Sequence, residues 1–141
     1  MRLEEIKEKV ASEEYDFLKT NPHLGKNIII LGLGGSHAYG TNTIDSDLDV
    51  RGCALNSKTE ILTKENFSQV EHKQTDTTIY SFNKLVDLLA KANPNVLEIC
   101  GLKPEHYLYI SPIGKELIDN CDMFLSKKVI YSFGGYASAQ L

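Results

Sequence analysis

Residues 32 to 51 read GLGGSHAYGTNTIDSDLDVR, and two kinds of chemistry lie side by side in that stretch. The first is the turn Gly34-Gly35-Ser36, which follows directly on the apolar run Asn27 to Leu33. A buried strand that breaks at two glycines and meets a serine suited to a helix N-cap leaves backbone N–H groups without partners. Together with the helix dipole these favour an anion such as a phosphate. The second is the acidic series Asp45, Asp47 and Asp49. Asp47-Leu48-Asp49-Val50-Arg51 alternates strictly, so an extended chain turns Leu48 and Val50 one way and Asp47, Asp49 and Arg51 the other. Two carboxylates on one strand face repel unless they are solvated, hydrogen-bonded or neutralised by a cation. Mg²⁺ fits such oxygen ligands, because it keeps several waters and binds substrate phosphates beside one or two carboxylates. Taken singly, the glycine turn reads as a structural turn and the acidic pair as a solvated one. Their succession, with ten residues between Ser36 and Asp47, is what points to chemistry.

Commoner motifs fail on required residues. A dinucleotide-binding G-x-G-x-x-G counted from Gly32 and Gly34 meets His37 where the third glycine belongs, and a P-loop counted from Gly35 and Gly40 meets Thr41 in place of lysine. An EF-hand counted from Asp45 needs Gly at its sixth position and Glu at its twelfth, and finds Val50 and Asn56. Asp47-Leu48-Asp49-Val50 also fits the D-x-D-x-V of aspartyl-phosphate phosphotransferases of the haloacid dehalogenase type. That motif ends a hydrophobic strand, whereas Thr43-Ile44-Asp45-Ser46 precedes it here.

The elements that must position these groups are legible in outline. Leu3 to Lys19 carries apolar residues at roughly helical spacing and reads as one amphipathic helix, ended by Thr20-Asn21-Pro22. Asn27 to Leu33 reads as a buried strand, and Ser57 to Lys73 as mainly loop. Thr77 to Tyr80 is β-branched and aromatic, a strand with Asp76 just ahead of it on the face of Thr78 and Tyr80. Ser81 caps a helix over Phe82 to Ala92, Pro94 interrupts it, and Val96 to Leu102 adds a further helical turn. Ser111-Pro112 opens a helix running to Asn120, and Ser126 caps a last one to the C-terminus. That last helix is apolar at Val129, Ile130, Tyr131 and Phe133, which suggests packing on a second domain or another chain, with self-association as one form.

Composition narrows the class. With 141 residues, 42% apolar and 24% charged, the chain is sized for a single domain with a real core. A net charge of -4 provides no general attraction for nucleic acid, so a polyanion would have to be held by a local site or a metal. Cys53, Cys100 and Cys121 form no C-x-x-C pair and read as reduced core thiols. The charged N-terminus and the lack of any long apolar run point to a cytoplasmic protein without a membrane partner.

Gly35-Ser36, ten residues, then Asp47-Leu48-Asp49-Val50 resembles the signature of the DNA polymerase β-like nucleotidyltransferase superfamily. The string GGSHAYGTNTIDSDLDVRG, with Tyr80-Ser81-Phe82-Asn83-Lys84 and Asn93-Pro94-Asn95-Val96-Leu97-Glu98, is similar to a branch of predicted nucleotidyltransferases of bacteria and phages, over about Gly32 to Leu141. The resemblance implies an α/β (α+β) fold, a small mixed β-sheet flanked by helices, with a catalytic core at about residues 27 to 110 and helices from 111 to 141. It implies that Gly35 and Ser36 hold the triphosphate and that Asp47 and Asp49 bind two Mg²⁺ ions, for which Mn²⁺ can substitute. A third carboxylate on a neighbouring strand completes such sites; Asp76 is the candidate, with Glu71 as the fallback. The reaction implied is attack by an acceptor hydroxyl on the α-phosphorus of a nucleoside triphosphate such as ATP, releasing pyrophosphate. The acceptor stays open between a small molecule, an RNA end and a protein hydroxyl. A catalytically silent nucleotide- or RNA-binding module on the same fold is the alternative. Arg51 can neutralise the aspartates, contact a phosphate or make a structural ion pair, and Lys84 can reach a phosphate or simply be solvated. His37 and Tyr39 can face base or ribose, or pack. Members of the branch continue into a further helical region, and this chain stops where that region would begin.

Overall fold

A computed structural model describes residues 2–35 and 48–124. Five strands form one mixed sheet: β1 (Ile28–Gly34), β2 (Asp49–Ala54), β3 (Gln69–His72), β4 (Thr77–Ser81) and β5 (Tyr107–Ile110), in the order β3-β4-β2-β1-β5. The described residues also form six α-helices: α1 (Leu3–Val10), α2 (Phe17–Thr20), α3 (Lys58–Thr63), α4 (Phe82–Ala90), α5 (Pro94–Cys100) and α6 (Pro112–Asp119). This is the α+β class with a mixed sheet that the sequence led us to expect. β2 runs antiparallel to β1 and parallel to β4, while β3 and β5 pair antiparallel at the two edges. Among the described residues no helix is long and apolar enough to cross a membrane.

β1 is buried along its whole length because it lies inside the sheet and is covered on both faces. Leu31 and Leu33 join Leu48, Val50 and Ile79 in a core closed by Ile6, Tyr15 and Leu18 of the N-terminal segment. Ile29 and Ile30 join Cys53, Leu85, Leu89 and Val96 in a second core under α4 and α5. A register shift between Ile28 and Ile30 lets these neighbours serve one core despite the two-residue period of a strand. The alternation expected around Asp49 is present, with Leu48 and Val50 buried and Asp49 and Arg51 half-exposed.

Three expectations are corrected and one strand is added. The single helix over residues 3 to 19 is broken: α1 stops at Val10, a 3₁₀ turn covers Glu13–Tyr15, and α2 resumes at Phe17. Ser12 breaks it, since its hydroxyl and its backbone N–H both bond to the Lys9 carbonyl, at 2.6 and 3.0 Å. The change of direction lets Tyr15 enter the core, where it is 2% exposed. The segment Ser57 to Lys73 is not mainly loop, because it holds α3 and β3. Ser57-Lys58-Thr59-Glu60 carries the S-x-x-E spacing of a helix start, and the Ser57 hydroxyl accepts the Glu60 N–H at 3.1 Å.

Tyr107-Leu108-Tyr109-Ile110 adds a fifth strand, too short to show an alternating pattern of its own. Finally, Cys100 and Cys121 are not separate thiols but form a disulfide, with their Cα atoms 6.1 Å apart. The end of α5 and the turn Cys121–Phe124 converge on the same core, which brings the sulfurs together. Cys53 is free and fully buried, and burial pushes its thiol pKa up to about 12. The helix expected from Ser126, with its suggested partner surface, lies outside the described residues.

α6 is capped as expected, the Ser111 hydroxyl accepting the Gly114 N–H at 3.1 Å. Gly114 sits so close to β1 that a Cβ added there would overlap the Ile29 carbonyl oxygen. Gly114→Ala should therefore lower stability by about 1–3 kcal/mol, as overpacking against backbone does. Urea unfolding measures this, and a loss within about 0.5 kcal/mol, the range of an ordinary surface change, would contradict the close approach of α6 to β1.

Candidate active site

The sheet brings several of the marked residues to one end. Gly34, the last residue of β1, stands opposite Asp49, the first of β2. Gly35 follows at φ +57°, in the left-handed region that glycine enters without strain. A Cβ at Gly35 would also overlap the Asp49 carboxylate, and one at Gly34 would lie 3.2 Å from Arg51 Cγ. The glycines thus let the backbone close directly over the acidic side chain.

Asp76 arrives from the other side through the parallel pairing of β2 with β4. Val50 pairs with Thr77 and Arg51 with Thr78, so the residue before each strand's first pair, Asp49 and Asp76, continues the same register. The Asp76 carbonyl accepts the Val50 N–H at 3.1 Å and Arg51 Nη1 at 2.7 Å, and Arg51 Nη2 donates to Asp76 Oδ1 at 3.3 Å. Arg51 Nη1 also reaches its neighbour's carbonyl, Val50 O, at 2.9 Å. The Asp76 carboxyl is held below its ordinary pKa, first by a hydrogen bond with the Asp49 side chain and then by the Arg51 guanidinium, against a smaller upward push from burial than the Asp49 bond supplies. The register thus sets the two carboxyl-bearing residues side by side at one end of the sheet.

A network between β3 and β4 keeps Asp76 in this position. Asp76 has φ 45° and ψ 52°, a left-handed conformation that Asp and Asn adopt more readily than other residues with side chains. Its N–H is bonded to the Lys73 carbonyl at 3.2 Å. Beside it, His72 Nδ1 and the Thr75 hydroxyl are 2.9 Å apart, and the Thr75 and Thr77 hydroxyls also 2.9 Å apart. The His72 ring stacks on Phe17 with centroids 4.0 Å apart and planes 9° from parallel. The broken N-terminal helix thus braces the turn that carries Asp76.

A cleft of about 340 Å³ opens beside this cluster, lined by Gly34, Gly35, Asp49 and Arg51 and, farther out, by Glu71, Tyr80 and Glu98. Asp76 itself borders a second polar cleft of about 310 Å³, with Lys9, Glu14 and Lys73. Of the residues singled out in the sequence, Gly35, Asp49, Arg51 and Asp76 come together. Asp47, Ser36, His37 and Tyr39 lie outside the described residues. Glu71 is exposed on β3 opposite Thr78 and lines the first cleft, but its strand is one further from Asp49 than the strand that Asp76 introduces. Lys84 stands in the first turn of α4, at the far end of β4 from Asp76, and does not line the cleft. Eight residues separate the two in sequence, five of them extended, which places α4 roughly 15 Å from the acidic pair. Sequence reasoning missed Gln69, Asn95 and Glu98 as cleft residues. Asn95 and Glu98 were visible only as part of the Asn93 to Glu98 string, and nothing in their spacing tied them to Asp49.

Because Asn tolerates the left-handed region and Ala does not, Asp76→Asn should unfold close to the wild type. Asp76→Ala should be less stable than Asp76→Asn by about 1 kcal/mol. Denaturant midpoints compare them, and equal stability of the two variants would show that the backbone at position 76 carries no such demand.

A family profile described as RNA repair pathway DNA polymerase beta family matches residues 2–141. No curated protein and no solved structure matches the chain. The match spans nearly the whole chain, takes in both the glycine turn and the Asp49–Asp76 cluster, and points broadly to nucleotidyltransferase activity. The chain belongs to the RNA repair pathway DNA polymerase beta (RlaP) family.

Proposed function

We propose that the chain is a Mg²⁺-dependent nucleotidyltransferase that moves a nucleoside monophosphate from a triphosphate to the hydroxyl of an RNA end. The observation that carries this reading is the juxtaposition of Asp49 and Asp76 on neighbouring strands, with a side-chain-free turn at Gly35 directly over the Asp49 carboxylate. A carboxyl pair of this kind has little structural value by itself, since like charges repel. It has an obvious use where a divalent cation is to be held.

The residues suit that cation. Asp49 and Asp76 offer only carboxylate oxygens, the donor class Mg²⁺ takes, and Gly35 leaves space that a Cβ would fill. Among the described residues no group of three or more His, Cys, Asp or Glu is placed to hold a metal ion; Asp47, paired with Asp49 in the sequence motif, is the further ligand in the proposal. Mg²⁺, or Mn²⁺ in its place, would screen the phosphate charges and polarise the α-phosphorus. The chain's own residues do the rest. The Gly34-Gly35 turn lets a phosphate approach the backbone, Ser36 is the further phosphate contact assigned from the sequence motif, and Asp49 fixes the triphosphate side of the site. Asp76 continues the register beside Asp49, lines the second cleft, and orients the acceptor hydroxyl for in-line attack. In that attack the acceptor hydroxyl gives its proton to the Asp76 carboxylate, its oxygen bonds to the α-phosphorus, the bond to the β-phosphate bridging oxygen breaks, and pyrophosphate leaves. Arg51 is committed to Asp76, so its part is to hold that carboxylate rather than to bind phosphate.

The family's description, RNA repair pathway DNA polymerase beta family, supports an RNA acceptor, and Lys9 and Lys73 beside Asp76 are suited to an acceptor phosphate. The test is transfer of label from an α-labelled nucleoside triphosphate to a short RNA in Mg²⁺. Label should join the RNA and be lost with chelator, and Asp49→Asn should cut the rate at least about a hundredfold without unfolding the chain. Undiminished transfer by Asp49→Asn would overturn the assignment.

A further inference from the structure

The cleft beside Asp49 has two unlike ends. One holds Gly34, Gly35, Asp49 and Arg51; the other is built by Gln69 and Glu71 of β3, Tyr80 of β4, and Asn95 and Glu98 of α5. Antiparallel pairing sets Gln69 opposite Tyr80 and Glu71 opposite Thr78. Tyr80 lies four residues beyond Asp76, roughly 13 Å along extended chain, which separates this end from the acidic pair. Glu71 and Glu98 would repel a phosphate, and the guanidinium of Arg51 is engaged with Asp76. The far end is therefore built for an uncharged group. At about 340 Å³ the cleft is within the size range of small-molecule sites.

Its polar atoms further restrict that group. Gln69 Nε2 donates to Glu71 Oε1 at 2.5 Å, which leaves the Gln69 carbonyl oxygen as an acceptor. Acceptors from Gln69 and Glu71, with the Asn95 carbonyl, outnumber the amide donors of Asn95, so the wall matches a flat group that carries an amino donor next to a ring acceptor. Adenine has this pattern and cytosine shares it, and side-chain amides pair with the adenine amino group and ring nitrogen in two bonds at once. Uracil instead presents carbonyl oxygens on both sides of its single N–H, and carboxylates oppose them. The half-buried ring of Tyr80 supplies a face for stacking. Burial pushes its phenol pKa up, so it stays a neutral hydroxyl at working pH.

We infer that Gln69, Glu71, Tyr80, Asn95 and Glu98 form the base-reading wall of the nucleotide site and select adenine over uracil. The inference rests on the nucleotidyl-transfer reading of the same cleft. It is tested by calorimetric titration of the full chain with ATP, GTP, CTP and UTP, each with Mg²⁺. ATP should bind at least about tenfold more tightly than UTP, the scale of one good bidentate base contact. Asn95→Ala, and separately Gln69→Leu/Asn95→Ala, should remove most of that preference while UTP affinity stays within about twofold. Asn95 is exposed, so its replacement leaves the fold intact, which a melting curve confirms. Equal binding of all four triphosphates, or an ATP preference that survives in both variants, overturns the base wall and leaves nucleotidyl transfer standing. Failure of every triphosphate to bind the wild type overturns both.

Discussion

The site depends on the parallel register between β2 and β4. That pairing alone brings Asp76 to Asp49, because the two residues are 27 positions apart and belong to strands separated by a helix and a further strand. The register is secured where it is needed. Val50 N–H and Arg51 both bond to the Asp76 carbonyl, so the residue that carries the second carboxyl group is tied by its backbone to the strand that carries the first. A slip of one residue would turn Asp76 away from Asp49 and at the same time move Ile79 out of the core. Burial of Ile79 and placement of Asp76 are thus one constraint.

Two carboxylates set side by side oppose folding unless something offsets their repulsion. Arg51 provides part of the compensation, and it does so from the same strand face as Asp49, two residues along. The salt bridge is only partly shielded, with the Arg51 side chain 27% and that of Asp76 56% exposed, so it steadies geometry more than it adds stability. The braces around the turn follow the same logic. Phe17 stacks on His72, and the Thr75 and Thr77 hydroxyls tie the loop's ends, which spends buried polar contacts on a conformation that favours Asp at position 76.

Much of this was legible in the sequence because the signals were local. Strict alternation from Asp47 to Arg51 assigned the face of Asp49, the β-branched run after Asp76 marked β4, and the glycines after an apolar run marked the turn. What escaped was set by distance or by competition. Nothing local reveals that Asn95 and Glu98 lie across from Tyr80, since that follows from how α5 packs on β1 and against α4. Ser12 bonds to Lys9 and overrides a helical periodicity that otherwise ran on to residue 19, and the short strand Tyr107–Ile110 exists only because β1 offers it an edge. The Cys100–Cys121 link likewise depends on two chain segments meeting, which spacing could not show.

In the proposed function, Asp49 and Asp76 act as one site for a divalent cation and a triphosphate. Mn²⁺ titrated into the full chain and followed by its electron paramagnetic resonance signal tests it directly, with and without nucleoside triphosphate, in the wild type and in Asp49→Asn/Asp76→Asn. The account predicts that Mn²⁺ binds the wild type, that triphosphate tightens the binding, and that the double variant loses both effects while remaining folded. Equal Mn²⁺ binding by the wild type and the double variant would contradict it.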